Sequence, residues 1–175
     1  TFAVSNDNNS LFSSQPVISS SGDLTFTPTD NANGSTTVTV SLSDDGGTAN
    51  SGDDTSPNQT FILTVTAVND GVTLIGSIDD YTVLEDAVAT TVDLDNIFGD
   101  IDILNGAPSA LQSLSYSVVS NTNSDLATPT INAATGVLTI SYTSEDNGSA
   151  TITVRADDDS GSTLDESFTL TVNVI

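Results

Sequence analysis

The sequence contains no cysteine, no histidine, no lysine and no tryptophan, and its single basic residue is Arg155. Without cysteine there are no disulfides, no zinc-thiolate sites, no thioesters and no cysteine nucleophile. Without lysine no Lys-to-Asn isopeptide cross-link can form. Without histidine there is no Ser-His-Asp triad, no imidazole metal ligand and no switch at physiological pH. Against Arg155 stand 24 Asp and Glu residues, a formal net charge of -23. Nucleic acid is thereby excluded as a partner, because phosphate backbones need Lys and Arg to displace their counterions, and an anionic membrane surface repels such a chain for the same reason. Charge of one sign also opposes compaction unless salt or bound cations screen it. The acidity therefore reads either as a solubilising surface suited to salty water or as a set of divalent-cation sites. No stretch approaches the apolar length of a membrane span, so no membrane insertion is expected. No charged-then-apolar leader opens the chain, which starts in the middle of a repeat; the expectation is a processed chain or a piece of a longer one.

What the chain does have is alternation. Its hydrophobic content of 36% is low, yet it falls in strings of Val, Ile, Leu and Thr with the two-residue period of strands. The stretch Phe61 to Asp70 alternates in this way, its first half reading as covered on both faces, and stops at Asn69-Asp70-Gly71. Much the same strand returns at Phe168 to Val174, so the chain is a repeat and Asn69-Asp70 is its joint. Gly22 and Gly136, Gly34 and Gly148, and Gly47 and Gly161 all stand 114 positions apart, with Leu24 over Leu138, Phe26 over Ile140 and Val38 over Ile152. The final strands, at Phe61 and Phe168, stand 107 apart, so the first copy carries a polar connection seven residues longer within 48–59.

The second copy has some forty residues ahead of Tyr116 that the first lacks. They predict opening strands at Tyr81 to Leu84 and Val88 to Leu94, then an irregular acidic loop from Asp95 to Asn105. Further strands are expected near Leu114 to Ser120, Thr130 to Asn132, Val137 to Tyr142, Ser149 to Ala156 and Glu166 to Val174. The fold class is all-β: tandem immunoglobulin-like sandwiches, residues 1–70 forming the incomplete carboxyl-terminal part of one repeat and 71–175 a complete one. Asn33-Gly34 and Asn147-Gly148 supply turns that take positive φ. Both asparagines also open Asn-x-Ser/Thr sequons, which the turn role explains without glycosylation. The three tyrosines, at 81, 116 and 142, read as core or half-buried strand residues.

The segment from Val38 to Asp70 resembles the end of a cadherin-like tandem repeat of large bacterial surface and secreted proteins. The second copy is similar to the dystroglycan-type members of that group, through YTVLEDAVATTVDLDNIFGDID, GVLTI and ATITVRADDDSGSTLDESFTLTV. The resemblance implies a β-sandwich in series with others, extracellular on a bacterial surface or secreted, with calcium near the junctions. Carried over by position, the candidate ligands are Glu85 after the first strand, Asp100 and Asp102 in the Phe98–Asp102 loop, and Asp158 in the last turn. Asn69 and Asp70 in the joint join them, with Asp44, the counterpart of Asp158, in the first copy. Pro, usual after this Asn-Asp, is replaced by Gly71 and Val72, which suggests a looser joint.

The chemistry of the residues makes its own case for calcium, a hard cation that takes six to eight oxygens. An Asp-x-Asp loop can turn two carboxylates the same way with a carbonyl between them. The plain alternative is that Asp is a turn former and these residues are merely solvated. No enzyme is expected: glycoside hydrolysis by paired carboxylates needs a sugar cleft walled by aromatics, and Trp is absent. The leading expectation is a non-enzymatic, calcium-stiffened spacer or adhesin repeat whose partners are neighbouring repeats of the same or an identical chain. The alternatives are a polysaccharide-binding module and a filament subunit completed by strand donation from a neighbour.

Overall fold

The computed structural model describes residues 1–49, 52–104 and 113–175. Asn50 and Ser51 of the polar insertion, and Asn105 at the end of the acidic loop, lie outside the described residues. The chain forms two compact units that divide between Val68 and Asn69, so both residues of the joint belong to the second. Each unit is a β-sandwich in outline, antiparallel but for one strand pair of unit 2, with one sheet facing another across an apolar layer.

In unit 1, β1 (Phe2–Asn6), β4 (Gly34–Leu42) and β5 (Gln59–Val65) form one sheet in the order β1-β4-β5. Strands β2 (Phe12–Ile18) and β3 (Leu24–Pro28) pair to form the other. Unit 2 opens with β6 (Thr73–Leu74), β7 (Tyr81–Leu84), β8 (Thr90–Asp93), β9 (Phe98–Gly99) and a single helical turn, α1 (Ile101–Leu104). It continues with β10 (Ser115–Asn121), β11 (Ala127–Asn132), β12 (Val137–Tyr142), β13 (Gly148–Asp157) and β14 (Thr163–Asn173). Its sheets are β10-β13-β14-β7 and β11-β12-β8, with β6 and β9 pairing as a short ribbon. Strand β7 runs parallel to β14, from Tyr81 opposite Leu170 to Leu84 opposite Asn173.

The repeat read from the glycines holds at the level of hydrogen-bond register. Phe2 faces Leu42 as Tyr116 faces Ala156, and Gly34 faces Val65 as Gly148 faces Val172. Each central pair also corresponds, Val38 with Phe61 and Ile152 with Phe168. The Asn-Gly turns are conserved between copies too, though the positive φ falls on the glycines, +130° at Gly34 and +140° at Gly148, and not on Asn33 or Asn147. The turns take a second left-handed residue three positions earlier, at Asn31 and Glu145. At all of these positions a β-branched residue would be strained.

The strand period dictates which side chains enter each core. Along β13, Ala150, Ile152, Val154 and Ala156 are buried at every second position, and β14 answers with Phe168, Leu170 and Val172. Leu138 and Ile140 of β12 and Val92 of β8 close the layer from the other sheet. All three tyrosines are half-buried against this core, Tyr81 lying edge-on to Phe168 at 5.9 Å. Unit 1 has a far smaller core of Leu11, Phe12, Val38 and Leu63. Ile62, expected under a second cover, is exposed, and Phe61 is only partly covered. The physical reason is topological. Strand β5 lacks a counterpart of β7, and β3 lacks one of β8.

Because the registers match while the burial does not, one substitution made in both copies separates topology from sequence. Phe168→Ala should cost unit 2 about 3–5 kcal/mol, the usual range for a buried Phe, and Phe61→Ala should cost unit 1 distinctly less. Urea unfolding checks this, with tyrosine fluorescence following unit 2 alone and far-ultraviolet circular dichroism following both. Equal costs would mean that Phe61 is as well covered as Phe168.

Candidate metal centre

The residues of the joint are tied into unit 2 one by one. The Asn69 side-chain amide donates through Nδ2 to Asp158 Oδ2 at 3.0 Å, and the Asp70 backbone N–H donates to Asp102 Oδ2 at 2.8 Å. Two residues on, the Val72 N–H donates to Ser162 Oγ at 3.2 Å. Gly71 lies so close to Ser162 that a Cβ would meet Oγ at 2.8 Å. The glycine that replaces proline thus permits close packing, and residues 69–72 are fixed to unit 2 where a looser segment was expected.

Asp158 sits at the start of the β13–β14 turn. Its Oδ1 accepts the backbone N–H groups of Ser160 at 2.8 Å and Ser162 at 2.9 Å, while its own N–H donates to the Ser162 carbonyl. Asp100 follows β9, and its Oδ1 accepts the Asp102 N–H at 2.8 Å, the contact that starts α1. The acidic loop is therefore more ordered than its sequence suggested. All three carboxylates are buried, Asp158 at 0%, Asp100 at 1% and Asp102 at 8% exposure. Buried carboxylates without a basic neighbour are costly, because desolvation disfavours the charge and only hydrogen bonds restore part of it.

The restoration is uneven. Burial pushes the Asp158 carboxyl up, but the Asn69 amide and the N–H groups of Ser162, Ser160 and Gly161 together outweigh it and hold the group below its ordinary value. Asp100 Oδ2, by contrast, is buried with no hydrogen-bond partner. Such an orphaned oxygen in a native site calls for an explanation, and an unseen cation is a physical candidate. The donor set fits a hard cation in kind, being all oxygen: carboxylates from Asp100, Asp102, Asp158 and Asp70 beside the amide of Asn69. As held here, no three acidic side chains among the described residues stand close enough together to share one ion.

The structure brings together Asn69, Asp70, Asp102 and Asp158 through these contacts, with Asp100 joined to them by Asp102. It does not bring in Glu85. That residue lies at the opposite end of the sandwich, its N–H donating to the Asn173 carbonyl and its Oε1 accepting the Ile175 N–H at 3.1 Å. The length of β14 separates it from the Asp158 turn, on the order of 30 Å at strand rise. Asp44 belongs to unit 1 and is exposed; its Oδ1 accepts the Gly46 N–H at 2.8 Å and its own N–H donates to Asp54. Sequence reasoning missed Ser162, which anchors both Asp158 and Val72. The signal lay in Asp158-Asp159-Ser160-Gly161-Ser162, where Asp159 and Gly161 take positive φ and turn the intervening N–H groups onto the carboxylate.

No protein-family model and no curated protein matches the chain. Solved structures do match it. The EC1-2 portion of human mucin-like protocadherin matches at 14% identity with a TM-score of 0.59, covering 99% of this chain and 85% of that one. The human desmocollin-1 ectodomain matches at 14% identity and a TM-score of 0.52, covering 98% of this chain and 33% of that one. The protocadherin gammaB4 extracellular domain matches at 17% identity and 0.51, covering 98% and 27% respectively. The chain thus spans about a third or less of the length of the last two. At these identities the likeness is one of fold: the chain consists of tandem cadherin-like β-sandwiches, the first without its opening strands.

The lowered Asp158 pKa carries a definite sign. The group's contribution to folding is complete above its unfolded value near 3.8 and is lost as pH falls through the lower folded value. In chelator, Asp158→Asn should cost unit 2 about 1–3 kcal/mol at neutral pH, since its new amide would face that of Asn69 donor to donor. The variant should also lose part of the acid sensitivity that the parent shows below that value, as read from urea midpoints at pH 2 to 5.

Proposed function

We propose that the chain is a non-enzymatic structural module of an extracellular, adhesion-type protein, and that calcium stiffens it at the amino-terminal end of unit 2. The observation that carries this reading is the buried, partnerless Asp100 Oδ2, with the Asp102 and Asp158 carboxylates also buried and tied to the joint without a basic side chain. The one base of the chain is committed elsewhere, Arg155 gripping Asp165 through two contacts at 2.6 and 2.9 Å on the outer face of the sheet. The ligands would be Asp100, Asp102 and Asp158, with Asn69 and Asp70 from the joint. Calcium would supply the positive charge that the sequence lacks and so tie three segments distant in sequence to one point. These side chains must draw closer together to share an ion, a movement opposed in its absence by their mutual repulsion. Glu85, at the far end of unit 2, and Asp44, in unit 1, would act independently of this site.

The aromatic residues support a structural role over a carbohydrate-binding one. Phe12 packs on Phe26 at 5.7 Å, Tyr81 on Phe168 and Phe98 on Tyr116 at 5.9 Å each; of these rings only Phe26 is exposed, the others packing into or against the two cores. No helix among the described residues is long and apolar enough to cross a membrane.

Thermal melting in millimolar calcium against excess chelator tests the site. At a hundredfold excess over Kd, an ion that binds only the native state adds about 2.7 kcal/mol. Asp100→Asn should abolish that gain without lowering the midpoint in chelator. It keeps the acceptor used by the Asp102 N–H and replaces only the buried carboxylate oxygen that has no partner. Glu85→Gln should leave the gain intact. Superimposed curves with and without calcium would refute the site, and magnesium should substitute poorly because its small octahedral shell suits several carboxylates less well.

A further inference from the structure

The two oxygens of Asp158 are held by groups of different kinds. Oδ1 is taken up by its own turn, accepting the N–H groups of Ser160 at 2.8 Å and Ser162 at 2.9 Å. In unit 1 Asp44 makes the matching bond to the Gly46 N–H, also at 2.8 Å, from an exposed position. The turn therefore starts on Oδ1 alone, in the open as well as under cover. Burial adds a second demand at Asp158, which is 0% exposed: Oδ2 has lost water and needs a donor inside the protein.

That donor is the Asn69 side chain, whose Nδ2 lies 3.0 Å from Oδ2. The direction of the amide follows from chemistry, because an ionised carboxylate only accepts and so faces the NH2 end. Every other described donor to the three buried carboxylates is a backbone N–H: Asp70 to Asp102, Asp102 to Asp100, and the turn to Asp158. These are fixed in direction by the chain. A primary amide is not, since a half-turn about its last side-chain bond replaces two donors by an acceptor of nearly the same shape.

From this we infer that the Asn69 amide is a reversible stand-in for a divalent cation: its NH2 group holds Asp158 Oδ2 in the metal-free protein, and the amide turns to offer Oδ1 when the ion takes that oxygen. The inference rests on the calcium reading above and adds how the site is maintained without the ion. A cation on Oδ2 repels the NH2 group, whereas an amide carbonyl is an oxygen ligand of the kind calcium takes. One rotation thus removes a repulsion and adds a ligand. The joint stays on unit 2 throughout, because the Asp70 N–H on Asp102 and the Val72 N–H on Ser162 use no oxygen of Asp158. Binding is weakened by the hydrogen bond that the ion must displace, so Asn69 tunes affinity as well as order.

Nuclear magnetic resonance of the 175-residue chain reads the rotation, with thermal melting of the same samples reading calcium binding. In chelator a through-hydrogen-bond coupling should join Asn69 Nδ2 to the carboxyl carbon of Asp158, and in saturating calcium it should vanish. Asn69→Asp keeps the size but has no donor, so its effect should change sign: a midpoint below the parent's in chelator, equal to it or higher in calcium. Asn69→Ala, which has neither end, should lie below the parent in both. A calcium gain with the coupling still present overturns the switch and leaves the metal site standing. A coupling absent in chelator, or an Asn69→Asp midpoint below the parent's in both conditions, also overturns it. If calcium gives the parent no gain, the metal site itself is refuted and the inference falls with it.

Discussion

From Gly148 opposite Val172 to Asp157 opposite Thr163, every residue of β13 pairs with one of β14, and the rest of unit 2 is placed by that ladder. Its inward positions supply seven buried apolar side chains against which the second sheet closes. Its turn carries Asp158 and Ser162, which capture the joint, and its far end carries Asn173, which holds Glu85. The corresponding ladder of β4 and β5 has the same register but fewer neighbours. The two units therefore differ in stability through what flanks the ladder rather than through the ladder itself.

A chain with so little positive charge has to stabilise its buried carboxylates by other means. The Asn69 amide and backbone N–H groups do this together at Asp158, and a single N–H reaches Asp100. Two of the hydrogen bonds that hold the joint, from the Asn69 amide to Asp158 and from the Asp70 N–H to Asp102, also help to stabilise buried carboxylates. Asp7 in unit 1 is exposed, yet hydrogen bonds act on it in the same direction: its Oδ1 accepts the Thr36 hydroxyl at 2.7 Å and the Thr37 N–H at 2.8 Å, which holds its carboxyl below the usual value.

Much of this was legible in the sequence because alternation and glycine spacing are local signals. Tyr81–Leu84 and Val137–Tyr142 form strands with the expected bounds, and the 114-residue offset reappears in the pairing of Phe2 with Leu42 and Tyr116 with Ala156. What escaped was whatever depends on direction. Glu85 and Asp158 both lie next to strands, but strand polarity sends them to opposite ends of the sandwich, and no local pattern records that. Ile62 looked like a core residue because its sequence environment is that of a covered strand; the cover is a matter of topology. Gly71 read as a gap where proline was expected, while its role is steric, admitting Ser162 against the backbone.

The parallel pairing of β7 with β14 has a mechanical consequence. Tension applied between the two ends of unit 2 passes through the anchored residues 69–72 and β6 before it reaches β7, and leaves along β14. Because these neighbours run in the same direction, the pull slides one along the other and does not peel them apart. Once the contacts of residues 69–74 have given way, the hydrogen bonds between Tyr81–Leu84 and Leu170–Asn173 bear the load together. A short strand of four residues, modest in its share of the core, is in this way loaded in shear against the longest strand of the unit.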